Sequence, residues 1–167
     1  MNDPKKGLQM TENSYVESEK KILTHVLDEL VACGKTKYDP IYICGAPKDT
    51  SPVISDFVSR YIRAFPDAVI KLYTGESFPA DILTRIKNGE QLSAKLHFGD
   101  TDLLIVENVD LVSGKTVTME KLFSAFDIVE ERGGQIIFTA EKLPCETDGL
   151  ELRNRAQFEG GLIININ

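Results

Sequence analysis

The 167-residue sequence has no tryptophan, two histidines and three cysteines, and its apolar runs fall short of the roughly 18 residues that a membrane-spanning helix needs. Cys33, Cys44 and Cys145 are odd in number, far apart and without a CxxC pair, which excludes a disulfide framework or a zinc site and points to a reducing cytosol. His25 and His97 form no HxxxH pair and neither sits in a GxSxG or cysteine-nucleophile context, so both read as surface or packing residues, and no resident metal or cofactor is expected. Positive charge is also short: 19 basic residues face 26 acidic ones, a net charge of −7. That balance works against sequence-independent phosphate neutralisation and favours a soluble, protein-facing surface. The polar start from Met1 to Thr11 is no targeting segment. What is present is one domain's worth of ordinary globular sequence, 42% apolar and 27% charged. At this length a chain buries roughly 70% of its extended surface and needs no covalent staple.

Residues 1–13, with Pro4, Gly7 and few large apolar groups, read as a flexible tail, and residues 14–167 as the folded domain. Ile22, Leu23, Val26, Leu27, Leu30 and Val31 recur at helical spacing up to Cys33, where Gly34 supplies a stop. Ile41-Tyr42-Ile43-Cys44-Gly45 reads as a parallel strand covered on both faces. A helix with Pro52 in its first turn should follow, its apolar face made by Val53, Ile54, Phe57, Val58, Tyr61 and Ile62. Further strands are expected at Ala68–Tyr73, Asp102–Val109, Gln135–Ala140 and Leu162–Ile166. Helices are expected at Thr116–Glu131 and Leu150–Phe158, with two short ones between Phe78 and Phe98 broken near Asn88-Gly89, and a loop over Glu141–Asp148. Asp100, Asp102 and Asp110 read as solvated strand ends. Strands alternating with helices make an α/β fold, a mostly parallel sheet with right-handed crossovers.

A strand ending in glycine and opening into a helix is where phosphate sites are built, because amides and the helix dipole converge there. The pattern GxxxxGK[ST] supplies glycines for the curl, a lysine for the terminal phosphates and a hydroxyl for magnesium. Here the eight residues are Gly45-Ala46-Pro47-Lys48-Asp49-Thr50-Ser51-Pro52. Gly45 matches, but Thr50 replaces the second glycine, Ser51 the lysine and Pro52 the magnesium hydroxyl. Lys48 is either a substitute cation or a solvated lysine. The strand that would carry the metal-binding acid ends in Glu107-Asn108, and Asn108 cannot serve as a general base because an amide does not titrate usefully. These two either keep a water-mediated metal contact or simply terminate the strand.

The order of these segments resembles the nucleotide-binding domain of the bacterial replication initiator DnaA and its short Hda-type relatives, within the AAA+ ATPases. The resemblance runs from roughly Lys20 to Ile166. Its carriers are Gly34–Gly45, Thr101–Val109, Ser113-Gly114-Lys115, Ile136–Ala140, Gly149–Arg153 and Phe158–Leu162. It implies a P-loop NTPase-like three-layer sandwich, an AAA+ base with a five-stranded sheet; the family's helical lid would come after Asn167, so the chain is expected to lack it. It also implies that lysine and threonine are missing at Ser51 and Pro52, two aspartates at Glu107 and Asn108, and the arginine finger at Gln157. Glu141 falls near the sensor position. Arg153 keeps the motif's other arginine and is either a surface charge or a subunit contact. The insertion from Gly75 to Asp100 corresponds to a helical pair that touches single-stranded DNA in the family, where Arg85, Lys87 and Lys95 would meet phosphates; Phe78 and Phe98 read as core anchors rather than stacking platforms.

The expected function is a non-hydrolysing DnaA-like domain that uses the AAA+ base as a protein-interaction or regulatory module in replication initiation. Its expected partner is the initiator itself or a second copy, with weak single-stranded DNA as a lesser ligand and no membrane. Two alternatives stand beside it: an ATP-binding protein with residual turnover through Lys48 and Glu107, and a weak single-strand binding module.

Overall fold

The computed structural model describes residues 4–90 and 93–167. The chain alternates helices and strands: α1 (Pro4–Cys33), β1 (Ile41–Cys44), α2 (Pro47–Ala64), β2 (Ile70–Thr74), α3 (Ser77–Lys87), α4 (Ala94–Phe98), β3 (Leu103–Glu107), α5 (Thr116–Arg132), β4 (Gln135–Ala140), α6 (Leu152–Phe158) and β5 (Leu162–Asn165). Short 3₁₀ turns at Val109–Val112 and Pro144–Glu146 interrupt the loops after β3 and β4. The five strands lie in the order β2-β3-β4-β1-β5, every adjacent pair parallel.

The alternation of side chains along each strand divides the core in two. Ile41, Ile43, Leu103, Ile105, Ile137, Ile164 and Ile166 point toward α1 and α2, where they meet Leu23, Leu27, Leu30, Ile54 and Phe57. Tyr42, Cys44, Leu104, Val106, Ile136, Phe138 and Ala140 point the other way, toward Phe78, Phe98, Leu122, Phe126 and Phe158. Both faces are thus covered, which makes the three-layer α/β/α sandwich of a P-loop NTPase base. Aromatic rings knit the second layer: Phe138 meets Phe158 edge-on at 4.9 Å and stacks parallel to Phe126 at 6.2 Å.

Buried polar groups close the amino edge of the sheet. Gln135 is fully buried; its Nε2 donates to Tyr38 O at 2.8 Å and its Oε1 accepts from Thr36 N at 3.1 Å. Asp39 Oδ1 accepts from Ile136 N at 2.9 Å, while Asp39 Oδ2 is buried with no partner.

Several boundaries differ from the sequence expectation. The first three residues of the expected tail lie outside the described residues, and from Pro4 the backbone is already helical, so Ser14 marks no break. The expected strand start at Ala68 moves to Ile70, and the expected β3 end at Val109 shortens to Glu107, because Asn108 adopts a left-handed conformation (φ 54°) that opens the 3₁₀ turn. Asp102 is no free strand end: its Oδ2 accepts from Val69 N at 2.8 Å and its Oδ1 pairs with Arg132 at 3.1 Å. Pro52 is not in the first turn of its helix. Pro47 holds that place, and Pro52 lies inside α2 on its solvent side.

Candidate functional site

The displacement of Pro52 decides the character of the site. In a phosphate loop the chain curls between strand and helix; here α2 begins at Pro47, so only Gly45 and Ala46 separate it from β1. Lys48, Thr50, Ser51 and Pro52 therefore ride on the first turns of a helix. Three of the five backbone N–H groups from Gly45 to Thr50 are already taken, which leaves those of Ala46 and Lys48 for an anion. Gly45 N donates to Ala140 O at 2.8 Å, Pro47 has no N–H, and Asp49 N and Thr50 N both donate to Ala46 O at 2.9 and 3.0 Å.

The space above the turn is also filled. Thr50 is 1% exposed and faces inward, and a Cβ built on Gly45 would lie 2.7 Å from Ile166 Cγ1 and 3.0 Å from Thr50 Cγ2. Gly45 thus serves close packing against the end of the chain, where a phosphate-binding glycine would face an open cradle. Lys48 and Asp49 are exposed, and Ser51 is half-buried. The residues present do not fit the triphosphate and magnesium that the family's loop holds.

The neighbouring strand ends are tied to one another. Asn108 N donates to Thr139 Oγ1 at 3.0 Å, Glu141 N donates to Asp110 Oδ2 at 3.3 Å, and Glu141 O accepts from Cys44 Sγ at 3.3 Å and from Asn167 Nδ2 at 3.2 Å. Asp110 is therefore a strut rather than a solvated end. Burial, with Glu146 and Asp110 nearby, pushes the Cys44 thiol up to about 11, so it stays protonated and unreactive at neutral pH. Glu107 Oε1 and Asp110 Oδ1 are buried without a partner, so Glu107 keeps an unused acceptor at the place where the family's metal-binding strand ends. Among the described residues, no three His, Cys, Asp or Glu side chains converge as a metal site.

The other candidates lie elsewhere. Arg153 and Gln157 project from α6 into a groove of about 660 Å³ against α5; Arg153 is exposed, and Gln157 Nε2 donates to Asp127 Oδ1 at 3.2 Å. On the helical pair, Arg85 is engaged by three groups: Asp81 at 3.0 Å, Glu90 at 3.2 Å and His97 Nε2 at 3.3 Å. His97 Nε2 also meets Tyr73 OH at 2.8 Å. Because a guanidinium only donates, the facing nitrogen of His97 is an acceptor and the ring is neutral; burial, then Lys71 and Arg85, lower its pKa from 6.5. Lys87 and Lys95 are exposed. The structure thus brings together Gly45, Thr50, Glu107, Asn108 and Glu141 at one edge of the sheet, and separates them from α6 and from α3–α4.

Sequence reasoning missed two residues here. Ile166 fills the cradle, and its signal was only its alternation with Ile164 on the last strand. Asn154 is 8% exposed and lines the α5–α6 groove; no motif marks it.

Comparison with known proteins bears on the family and the fold. The family model for the bacterial DnaA ATPase domain matches residues 9–165. Among curated proteins, the chromosomal replication initiator DnaA of Sphingopyxis alaskensis is 27% identical over 133 residues, covering 79% of this chain and 29% of that protein. That of Geobacter sp. strain M21 is 28% identical over 165 residues, 98% of this chain and 36% of that protein. The chain thus spans about a third of the length of the curated relatives it matches. Domain III of Thermotoga maritima DnaA superposes with a TM-score of 0.78 at 21% identity, over 88% of this chain and 62% of that one. AMPPCP-bound DnaA from Aquifex aeolicus gives 0.78 at 22%, over 88% and 46%. A DnaA bound to AMPPCP and single-stranded DNA gives 0.77 at 23%, over 87% and 46%. At these identities the structural likeness speaks for the fold, and the match of the family model over nearly the whole sequence establishes that this chain belongs to the bacterial DnaA ATPase domain family.

Proposed function

We propose that this chain is a non-hydrolysing member of the DnaA family that uses its AAA+ base as a protein-interaction module in replication initiation. The observation that carries the reading is the start of α2 at Pro47, with Ile166 and Thr50 packed over Gly45. A turn with two intervening residues and most of its amides already bonded has neither the length nor the donors to wrap a triphosphate. Ser51 and Pro52 supply no cation and no magnesium hydroxyl, and Asn108 supplies no base. The α6 face is the natural contact surface: Arg153 is exposed, and Gln157, neutral and held by Asp127, offers no charge to a neighbour's phosphate. A chain with this face docks against an initiator or a second copy without promoting turnover there.

Calorimetry with magnesium-ATP and with ADP tests the closed site, and initiator ATPase and assembly assays with and without the purified chain test the interaction. No nucleotide heat together with altered initiator assembly is the expected result; micromolar ATP binding lost on Lys48→Ala would overturn it. One observation favours the rival ATP-binding reading: the unused buried acceptor of Glu107. The same calorimetry decides between them. Single-stranded DNA draws support from the fold shared with a DnaA bound to single-stranded DNA and, among the described residues of the helical pair, from exposed Lys87 and Lys95, since Asp81 and Glu90 already occupy Arg85. A salt-dependent anisotropy change with labelled oligonucleotide, lost on neutralising both lysines, would raise that reading.

A further inference from the structure

The groove between α5 and α6 carries chemistry that the closed nucleotide site does not explain. Its floor is apolar, formed by Met119 and Phe123. Its walls hold three carboxylates, Glu120, Asp127 and Glu151, against a single cation, Arg153. Asn154 lies in the same lining, more than nine-tenths buried, and among the described residues its side-chain amide has no hydrogen-bond partner. That amide is not among the buried unpartnered polar atoms, so its O and N reach the solvent of the groove and are open to a ligand's hydrogen bonds.

We propose that this groove binds an extended, basic peptide segment of a protein partner, with an apolar side chain on Met119 and Phe123, lysine or arginine against Glu120, Asp127 and Glu151, and backbone amide groups on Asn154. The observations select this occupant in three steps. The surplus of carboxylates repels anionic ligands, nucleotides and nucleic acid included, and attracts cations. A carboxamide offers one acceptor and two donors side by side, the complement of a peptide unit's N–H and C=O. Only an extended segment leaves those backbone groups free, because a helix has already paired them. The inference rests on reading the α6 face as a contact surface and adds what kind of partner segment that face accepts.

The test is fluorescence anisotropy of the full chain with a fluorescein-labelled hexapeptide that alternates Lys or Arg with Leu, beside its Glu/Leu counterpart. The basic peptide is expected to bind and the acidic one not, with affinity falling as salt rises. The double variant Glu120→Lys/Asp127→Lys, at exposed positions, is expected to weaken binding by about tenfold or more, and Asn154→Leu by several-fold. If Asn154→Leu does not fold, the charge-reversal variant still decides. Absence of basic-peptide binding, or equal binding by wild type and the charge-reversed chain, overturns the inference. Initiator binding measured in parallel separates the two readings: contact with the initiator but none with the peptide defeats the groove alone, and peptide binding without initiator contact defeats the choice of partner while the groove stands.

Discussion

Asp39 offers a quantitative check on how the lead-in to the site is built. Its carboxyl sits beside the start of β1, with Oδ1 taking Ile136 N at 2.9 Å and Oδ2 buried without a partner. Burial raises its pKa from 3.8 to about 6, against the lowering effects of the Ile136 hydrogen bond and of Lys35, and with a smaller raising effect from Glu130. Because the folded value lies above the unfolded one, the neutral acid favours the fold: the stabilisation is fully present below pH 3.8 and is lost as pH rises through 6. At roughly 1.4 kcal/mol per pKa unit the full difference approaches 3 kcal/mol, and partial solvent exposure reduces it to about 1–2 kcal/mol.

Asp39→Asn keeps an oxygen for Ile136 N but cannot ionise. Each form, protonated Asp or Asn, brings its own fixed cost of an unpaired donor, so the informative quantity is how the difference between variant and wild type changes with pH. Urea denaturation of both proteins at pH 4 and pH 8, at low concentration because the isoelectric point is near 4.9, should show the variant gaining about 1–2 kcal/mol on the wild type between the two conditions. At pH 8 that gain corresponds to a Tm shift of about 2–8 °C for a chain of this size. A difference that stays constant across this range, or shrinks at high pH, would refute the assignment of an ionised, under-satisfied Asp39.

Three further outcomes follow from the same geometry. Installing the missing motif residues alone, Ser51→Lys with Pro52→Thr, should leave calorimetry with magnesium-ATP silent at micromolar concentrations, because both positions ride on α2 and no loop opens beneath them. Gly45→Ala should cost about 1–3 kcal/mol in urea denaturation, since its methyl would meet Ile166 Cγ1 at 2.7 Å, and pairing it with Ile166→Ala should cost less than the sum of the two single changes. Arg85→Ala should raise the His97 pKa toward its ordinary 6.5 by removing one of the cations that lower it, read as a shifted midpoint in the ring's NMR titration; in the wild type, where the folded value lies below the unfolded one, His97 makes the fold lose stability as pH falls below 6.5.

The sheet was legible because burial on both faces leaves a periodic mark. Ile41 and Ile43 against Tyr42 and Cys44 sort into the two core layers by alternation alone, and the apolar faces of α2 and α5 repeat at helical spacing. Arg85 was half legible: Asp81 stands four residues before it, a spacing that pairs charges on any helix, but Glu90, just past the end of α3, and His97, on α4, lie outside that spacing. What local pattern could not give was the state of the turn after β1. Both Pro47 and Pro52 suit a first helical turn, and the expectation placed Pro52 there. The deciding contact comes from Ile166, more than a hundred residues away, which lies against Gly45 and turns Thr50 into a core residue. Loss of a lysine and a hydroxyl alone would leave an open loop within reach of a nearby Lys48; a helix that starts at Pro47 over a packed glycine removes the loop itself. On the proposed reading, a triphosphate loop would require α2 to unwind by at least a turn and Ile166 to withdraw, two coupled costs that exchange of the motif residues does not meet. The α5–α6 groove is the complementary case, because its character comes from what its lining leaves unmatched, the surplus carboxylates and the amide of Asn154, and an unmatched group has no spacing in a sequence.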